Sequence, residues 1–166
     1  ATISLNRVGR LMKNLGLFGY GKPKFKRTTI PSKKQASPNL VSDIEKISKP
    51  NQVWVSDITN IPTTEGWLYL CTVLDVYSRK IVGWSMSPRI NANLVIEALS
   101  SALKSRQVSP GLIFHSERGS QYKSNRFKNI LKSAAICQSM SGKGNCHDNA
   151  AAESFFASLK KELIHR

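Results

Sequence analysis

Cysteine is scarce in this chain, and its pattern is unhelpful to pairing. Cys71, Cys137 and Cys146 are odd in number and lack C-x-x-C spacing, which argues against a disulfide framework and a zinc knuckle. Histidine is equally thin: His115, His147 and His165 are scattered, and His147 beside Cys146 lacks further ligands at finger spacing. A reducing cytoplasm is the expected home. Long apolar runs are missing too. No stretch of 18 or more apolar residues occurs, and neither a signal peptide nor a membrane partner is expected. No internal repeat is evident.

Acid is the third shortage. Ten Asp and Glu stand against 25 Lys and Arg, a formal charge of +15. Such an excess points to a polyanionic partner, because neutralising phosphates releases condensed counterions. An anionic membrane surface or plain solubility would use the same charge, but the basic footprint favours nucleic acid. Hydrophobic residues make up 40 % of the 166 positions, enough for one domain with a real core and a tail.

The charge is unevenly placed. Residues 1–50 carry 11 Lys/Arg against 2 Asp/Glu, and residues 51–166 carry 14 against 8. Ile3, Leu5, Val8, Leu11, Met12 and Leu15 recur on one helical face, which Gly16 and Gly19 end. Residues 1–19 thus read as a helical unit and 20–50 as a basic, Pro- and Lys-rich linker. From 51 to 166 the chain reads as one core. VWVSDITNI, WLYLCTVLDV and IVGWSM, joined by short turns, predict an antiparallel meander. Asn91 caps a helix whose apolar face is Leu94, Val95, Ala98, Leu99, Ala102 and Leu103. GLIFHSE is a short buried strand, Gln121–Ala135 a helix with Phe127, Ile130 and Leu131 inward, ICQSM a fifth strand, and Ala150 to about Ile164 a last helix. The order βββαβαβα is an α/β layer with helices covering a mixed sheet. Trp54, Trp67 and Trp84 lie among apolar strand residues and are expected in the core or half within it.

Against this basic background three acids stand out. Asp57 lies inside VWVSDIT, Glu117 ends LIFHSE before the turn-like RGSQ, and Glu153 opens the final helix in DNAAAESFF. A lone buried carboxylate costs several kcal/mol unless it is paired or holds a cation. Each also has an ordinary reading. Asp57 would serve as a strand hydrogen-bond acceptor, Glu117 as a partner of Arg118, and Glu153 as a favourable charge at a helix start. Asp75 and Glu65 sit in turn contexts and read as structural.

VWVSDIT, EGWLYLCTVLDVYSRKIVGWSM, FHSERGSQY and DNAAAESFFASLKKEL, in that order, closely resemble the transposases of two-reading-frame bacterial insertion sequences, the IS-three group, over about residues 50–166. That group shares its integrase core with retroviruses. Thirty-five residues separate Glu117 from Glu153, the spacing of the DD(35)E class. The resemblance implies an RNase H-like α/β fold: a mixed five-stranded sheet, made of a three-strand antiparallel meander plus two parallel strands, with helices on both faces. It also implies Asp57, Glu117 and Glu153 as catalytic ligands of Mg²⁺ or Mn²⁺, as two ions, with Asp57 shared between them. The reaction implied is cleavage and strand transfer at the ends of double-stranded DNA elements by a homodimer or larger multimer, in the bacterial cytoplasm with the nucleoid.

The chain departs from the family at one ligand, where FHS-Asp-RGSQY becomes FHS-Glu117. Charge survives, but the carboxylate moves outward by about 1.5 Å, one carbon–carbon bond. Impaired cleavage is the expected consequence, with a DNA-binding remnant or regulator as the alternative to an active core. A third reading, a nuclease of RNA–DNA hybrids or DNA junctions on the same fold, is disfavoured by the 35-residue spacing. Among basic and polar residues, Lys160 lies seven positions after Glu153 and so on nearly the same helical face. The family places a DNA contact there; a solvated Lys near a helix end is the bland alternative. Lys143, Arg118, Gln121 and Asn149 are further DNA-contact candidates, and Asp148 reads as a helix cap. The amino-terminal helix resembles half of a helix-turn-helix-like region, too little to read a groove. Family members continue beyond KKEL, so a core cut short at its carboxyl end is expected.

Overall fold

Strand side chains alternate between two faces, and here both faces are covered. A computed structural model describes residues 4–17, 36–41, 47–142 and 150–164. Within them β1 (Val53–Thr63), β2 (Gly66–Asp75), β3 (Ile81–Ser87), β4 (Ile113–Ser116) and β5 (Cys137–Met140) form one sheet in the order β3-β2-β1-β4-β5. The first three strands pair antiparallel, while β4 lies parallel to β1 and β5 parallel to β4. This is the meander read from the chain, with the two parallel strands that the family resemblance implied. Helices α1 (Leu5–Asn14), α2 (Ala92–Ser105), α3 (Asn125–Ser133) and α4 (Ala150–Leu159) complete the elements, with a π-helical turn, Lys160–Ile164, following α4.

One face of the sheet, with Trp54, Cys71, Val73, Phe114 and Met140, is buried against α2 and α3. The other, with Val53, Val55, Leu74 and Ile113, is covered by Ala151, Ala152 and Phe155 of α4. Asn91 caps α2 as its sequence predicts, its Oδ1 accepting from the Leu94 N–H at 3.0 Å. At Gly83 of β3, α2 comes so close that an added Cβ would lie 2.5 Å from the Ala102 nitrogen and nearer still to the Ala98 carbonyl oxygen. Both obstacles are backbone and cannot rotate away. Gly83→Ala is therefore expected to lower stability by roughly 1–3 kcal/mol through overpacking, read by urea unfolding; an unchanged midpoint would remove the close-contact argument.

Several expectations need correction. The third helix begins at Asn125, not Gln121, because Ser124 takes the cap position and accepts from the Phe127 N–H at 3.3 Å. Residues 120–123 form a turn instead, which lets Tyr122 pack edge-on against Phe127, ring centroids 5.6 Å apart. Only Trp54 belongs to the core; Trp67 and Trp84 are 57 % and 56 % exposed, since Trp67 sits by the hairpin end and Trp84 on the edge strand. The amino-terminal helix forms, but Val8, Leu11 and Leu15 of its apolar face are exposed. Part of the segment read as a linker is anchored. Residues 36–41 run beside β5, with Leu40 N–H donating to Ser139 Oγ at 2.8 Å, Met140 N–H to the Pro38 carbonyl at 3.2 Å, and Val41 buried. That segment covers an edge the sheet would otherwise expose.

Candidate active site

Parallel pairing fixes the first two acids. The β1–β4 register ends at Ser56 beside Ser116, so Asp57 and Glu117 are the next residues on two adjacent parallel chains. By alternation both project to the face that α4 covers, as Val55 and Ile113 do. In α/β sheets, the carboxyl ends of parallel strands are where ligands gather. Below them, on the opposite face, Ser56 Oγ and the buried Tyr122 hydroxyl are 2.9 Å apart, a brace that fixes the backbone next to Asp57.

Electrostatics shows which groups reach the same place. Burial pushes the Asp57 carboxyl up from 3.8 to about 7; the charges of Glu117 and Glu153 push the same way, while the Ile58 N–H and Lys160 oppose them. Thus β1, the residue after β4, α4 and the turn that follows it place Glu117, Glu153 and Lys160 within electrostatic reach of Asp57. Burial likewise raises the Glu117 carboxyl. Glu153 itself is exposed and Lys160 half-buried. Among the described residues, no three carboxylate, imidazole or thiol side chains stand close enough to hold one ion together. The acids share a face and repel across it. Such a donor set fits a hard divalent cation: it is all oxygen, it carries excess negative charge, and its most buried member is held reluctantly ionised.

The remaining candidates are placed differently. Arg118 is folded back, its Nε donating to the Ser141 carbonyl at 2.8 Å. Gln121 is buried and tucked under Gly119, whose missing side chain makes the room. Lys143, Asp148 and Asn149, with Cys146 and His147, lie outside the described residues. His115 is buried, its Nδ1 2.9 Å from Ser139 Oγ and its Nε2 3.0 Å from Ser141 Oγ. Asp75 is structural as expected: it accepts from Ser78 Oγ at 2.8 Å and from the Tyr77 and Asn51 N–H groups.

Sequence reasoning missed Thr72. It is the direct cross-strand partner of Asp57, it is 2 % exposed, and its Oγ1 has no hydrogen-bond partner among the described residues. A buried hydroxyl left so costs about 1–3 kcal/mol. The signal was available: with Thr64 and Glu65 as a two-residue hairpin loop, counting back from Thr63 and Gly66 pairs position 57 with 72.

Known proteins resemble this chain in sequence and in fold. Residues 47–146 match the family model described as the integrase core domain. The chain is 46 % identical over 160 residues to the transposase for insertion sequence element IS904 of Lactococcus lactis, covering 96 % of this chain and 63 % of that protein. It is 50 % identical over 129 residues to transposase InsF for insertion sequence IS3A of Escherichia coli, covering 78 % of this chain and 45 % of that one. The chain therefore spans less than two thirds of these curated relatives. Among solved structures, the catalytic core domain of BIV integrase superposes with a TM-score of 0.56 at 18 % identity, over 68 % of this chain and 69 % of that one. The HTLV-2 integrase catalytic core in complex with magnesium gives 0.57 at 19 %, over 68 % of each. At such identities the likeness establishes the fold, which is RNase H-like.

Proposed function

The chain belongs to the integrase-core family and, within it, to the transposases of IS3-type insertion sequences, and we propose that it carries the catalytic core that cuts element ends and joins them to target DNA. The observation that supports this most is that Glu117, Glu153 and Lys160 all lie within electrostatic reach of the half-buried carboxyl of Asp57. Asp57, Glu117 and Glu153 would hold Mg²⁺ or Mn²⁺, as a pair, which supplies positive charge at the entering and leaving oxygens of a phosphodiester. Asp57, whose carboxyl feels the charges of both other acids, would be a ligand alongside them. Lys160, on their side of the last helix, meets a phosphate of the bound strand. Water is the first nucleophile, leaving a 3′-hydroxyl on the element and a 5′-phosphate on the flanking strand; that hydroxyl attacks a target phosphodiester and displaces a target 3′-hydroxyl, so no side chain becomes covalently linked to DNA.

Double-stranded DNA is then the partner, and joining two element ends asks for two copies of the chain or more. The reaction takes place with the chromosome in the bacterial cytoplasm. No helix among the described residues is long and apolar enough to cross a membrane.

The direct test is nicking of an end-labelled duplex carrying the element's terminal repeat. Cleavage to a 3′-hydroxyl in Mg²⁺ or Mn²⁺, abolished by EDTA, is expected. Binding without cleavage in either metal supports the second reading, a DNA-binding regulator, which Glu117 in place of the family Asp favours. Lys160→Ala is expected to weaken duplex binding uniformly across sequences and to reduce the slope of log affinity against log salt by about 0.9, one phosphate contact. An unchanged slope in filter-binding or anisotropy titrations would show that Lys160 is only a solvated side chain.

A further inference from the structure

Asp57 is held at only one of its two oxygens. Its Oδ1 accepts from the Ile58 N–H at 2.8 Å, and no hydrogen bond reaches its Oδ2 among the described residues. Directly across the β1–β2 ladder stands Thr72, on the same face of the sheet. Directly paired strand residues have Cβ atoms about 4.5–5.5 Å apart, so a hydroxyl on one and a carboxylate on the other meet by rotation about a single bond. Thr72 Oγ1 is buried and unpartnered among the described residues. Every other buried side-chain polar atom there has a partner or touches solvent. A hydroxyl donates where an ionised carboxylate can only accept.

We propose that Thr72 is a positioning residue for Asp57: with divalent cations bound, its hydroxyl donates to the Asp57 carboxylate and fixes the orientation in which that carboxylate faces them. The inference rests on the metal-site reading above and adds a member to it. Ligands of metal sites are commonly oriented by a second hydrogen bond of this kind, and its loss weakens metal binding by about 10- to 100-fold. Valine fills the space of threonine and lacks the donor. Serine keeps the donor and lacks the methyl.

The test titrates the full chain with Mn²⁺ alone, following free Mn²⁺ by electron paramagnetic resonance, with thermal melting in EDTA as the measure of fold. Thr72→Val is expected to weaken Mn²⁺ binding roughly tenfold while melting at or above the temperature of the unsubstituted chain. Thr72→Ser is expected to bind within about twofold of the unsubstituted chain, by the same donor argument. If Val at this position prevents folding, Thr72→Ala against Thr72→Ser makes the same comparison. Equal Mn²⁺ affinity in Thr72→Val, or equal losses in the Val and Ser variants, overturns the proposal. Asp57→Asn keeps its failure distinct from that of the underlying reading. Mn²⁺ binding that needs Asp57 but ignores Thr72 defeats only the positioning role, whereas binding that ignores Asp57 defeats the metal site itself.

Discussion

Asp57→Asn should cut DNA cleavage by at least about a hundredfold, since bound metals supply several kcal/mol of transition-state stabilisation, and should at the same time make the metal-free protein more stable at neutral pH. The second effect follows from the carboxyl's environment. Its folded value is about 7 against 3.8 unexposed to the fold. The folded state therefore binds the extra proton between those values, and stability falls as pH rises through that window. Below pH 4 the carboxyl costs nothing; above pH 7 the full cost of holding it ionised is present. That cost is at most on the order of 4 kcal/mol, less after screening by solvent at a half-buried side chain. Asn carries no charge and escapes it. Urea unfolding in EDTA should show the variant's advantage growing from pH 4.5 to pH 8, and a variant less stable than its parent at pH 8 would contradict the burial argument. Millimolar Mn²⁺ should raise the melting temperature of the parent at pH 8 and leave the variant unmoved, because only a ligand bound to the folded state shifts the equilibrium.

Glu117→Asp should work in the opposite direction and raise the rate of cleavage in Mg²⁺, by up to about a hundredfold, the usual penalty of a misplacement near 1 Å. The backbone at this position has little freedom to absorb a longer side chain. It lies one residue beyond Ser116, which is paired with Ser56 on one side and Met140 on the other. Arg118, next in the chain, is tied to the Ser141 carbonyl. The extra methylene must therefore be taken up by the carboxylate itself. Mg²⁺ demands near-ideal octahedral ligands at about 2.1 Å, so the gain should be smaller in Mn²⁺. Parallel nicking assays of the two proteins in each metal decide the matter; equal Mg²⁺ rates would mean that the site accommodates Glu117 without loss.

How far these residues could be read without coordinates differs from one to the next. Asp57 was visible because a carboxylate inside VWVSDIT is costly wherever that run is buried, and Glu117 because it ends an apolar strand. Glu153 and Lys160 carried no such local signal. Each looks like an ordinary helix residue, and it was the resemblance to insertion-sequence transposases that gave them roles. The hairpin register that sets Thr72 against Asp57 was also calculable, but an isolated threonine among apolar neighbours looks like any β-branched strand residue. Trp84 was misjudged for a related reason. It lies on a strand with Ile81, Val82 and Met86, and a strand's own residues do not say whether another element covers its outer face.

The sequence by itself determined the local elements and the chemistry available: alternation set the strands, Asn91 and Ser124 set helix starts, and the shortage of acids made the few in buried runs conspicuous. Tertiary structure alone decided convergence. Whether β4 lies parallel beside β1, which face α4 covers, and hence whether Glu153 and Lys160 reach the Asp57 carboxyl depend on packing between segments nearly a hundred residues apart. Burial is a property of the assembled layers, and so is the raised pKa of Asp57; neither can be assigned to a residue until its neighbours across the sheet are in place.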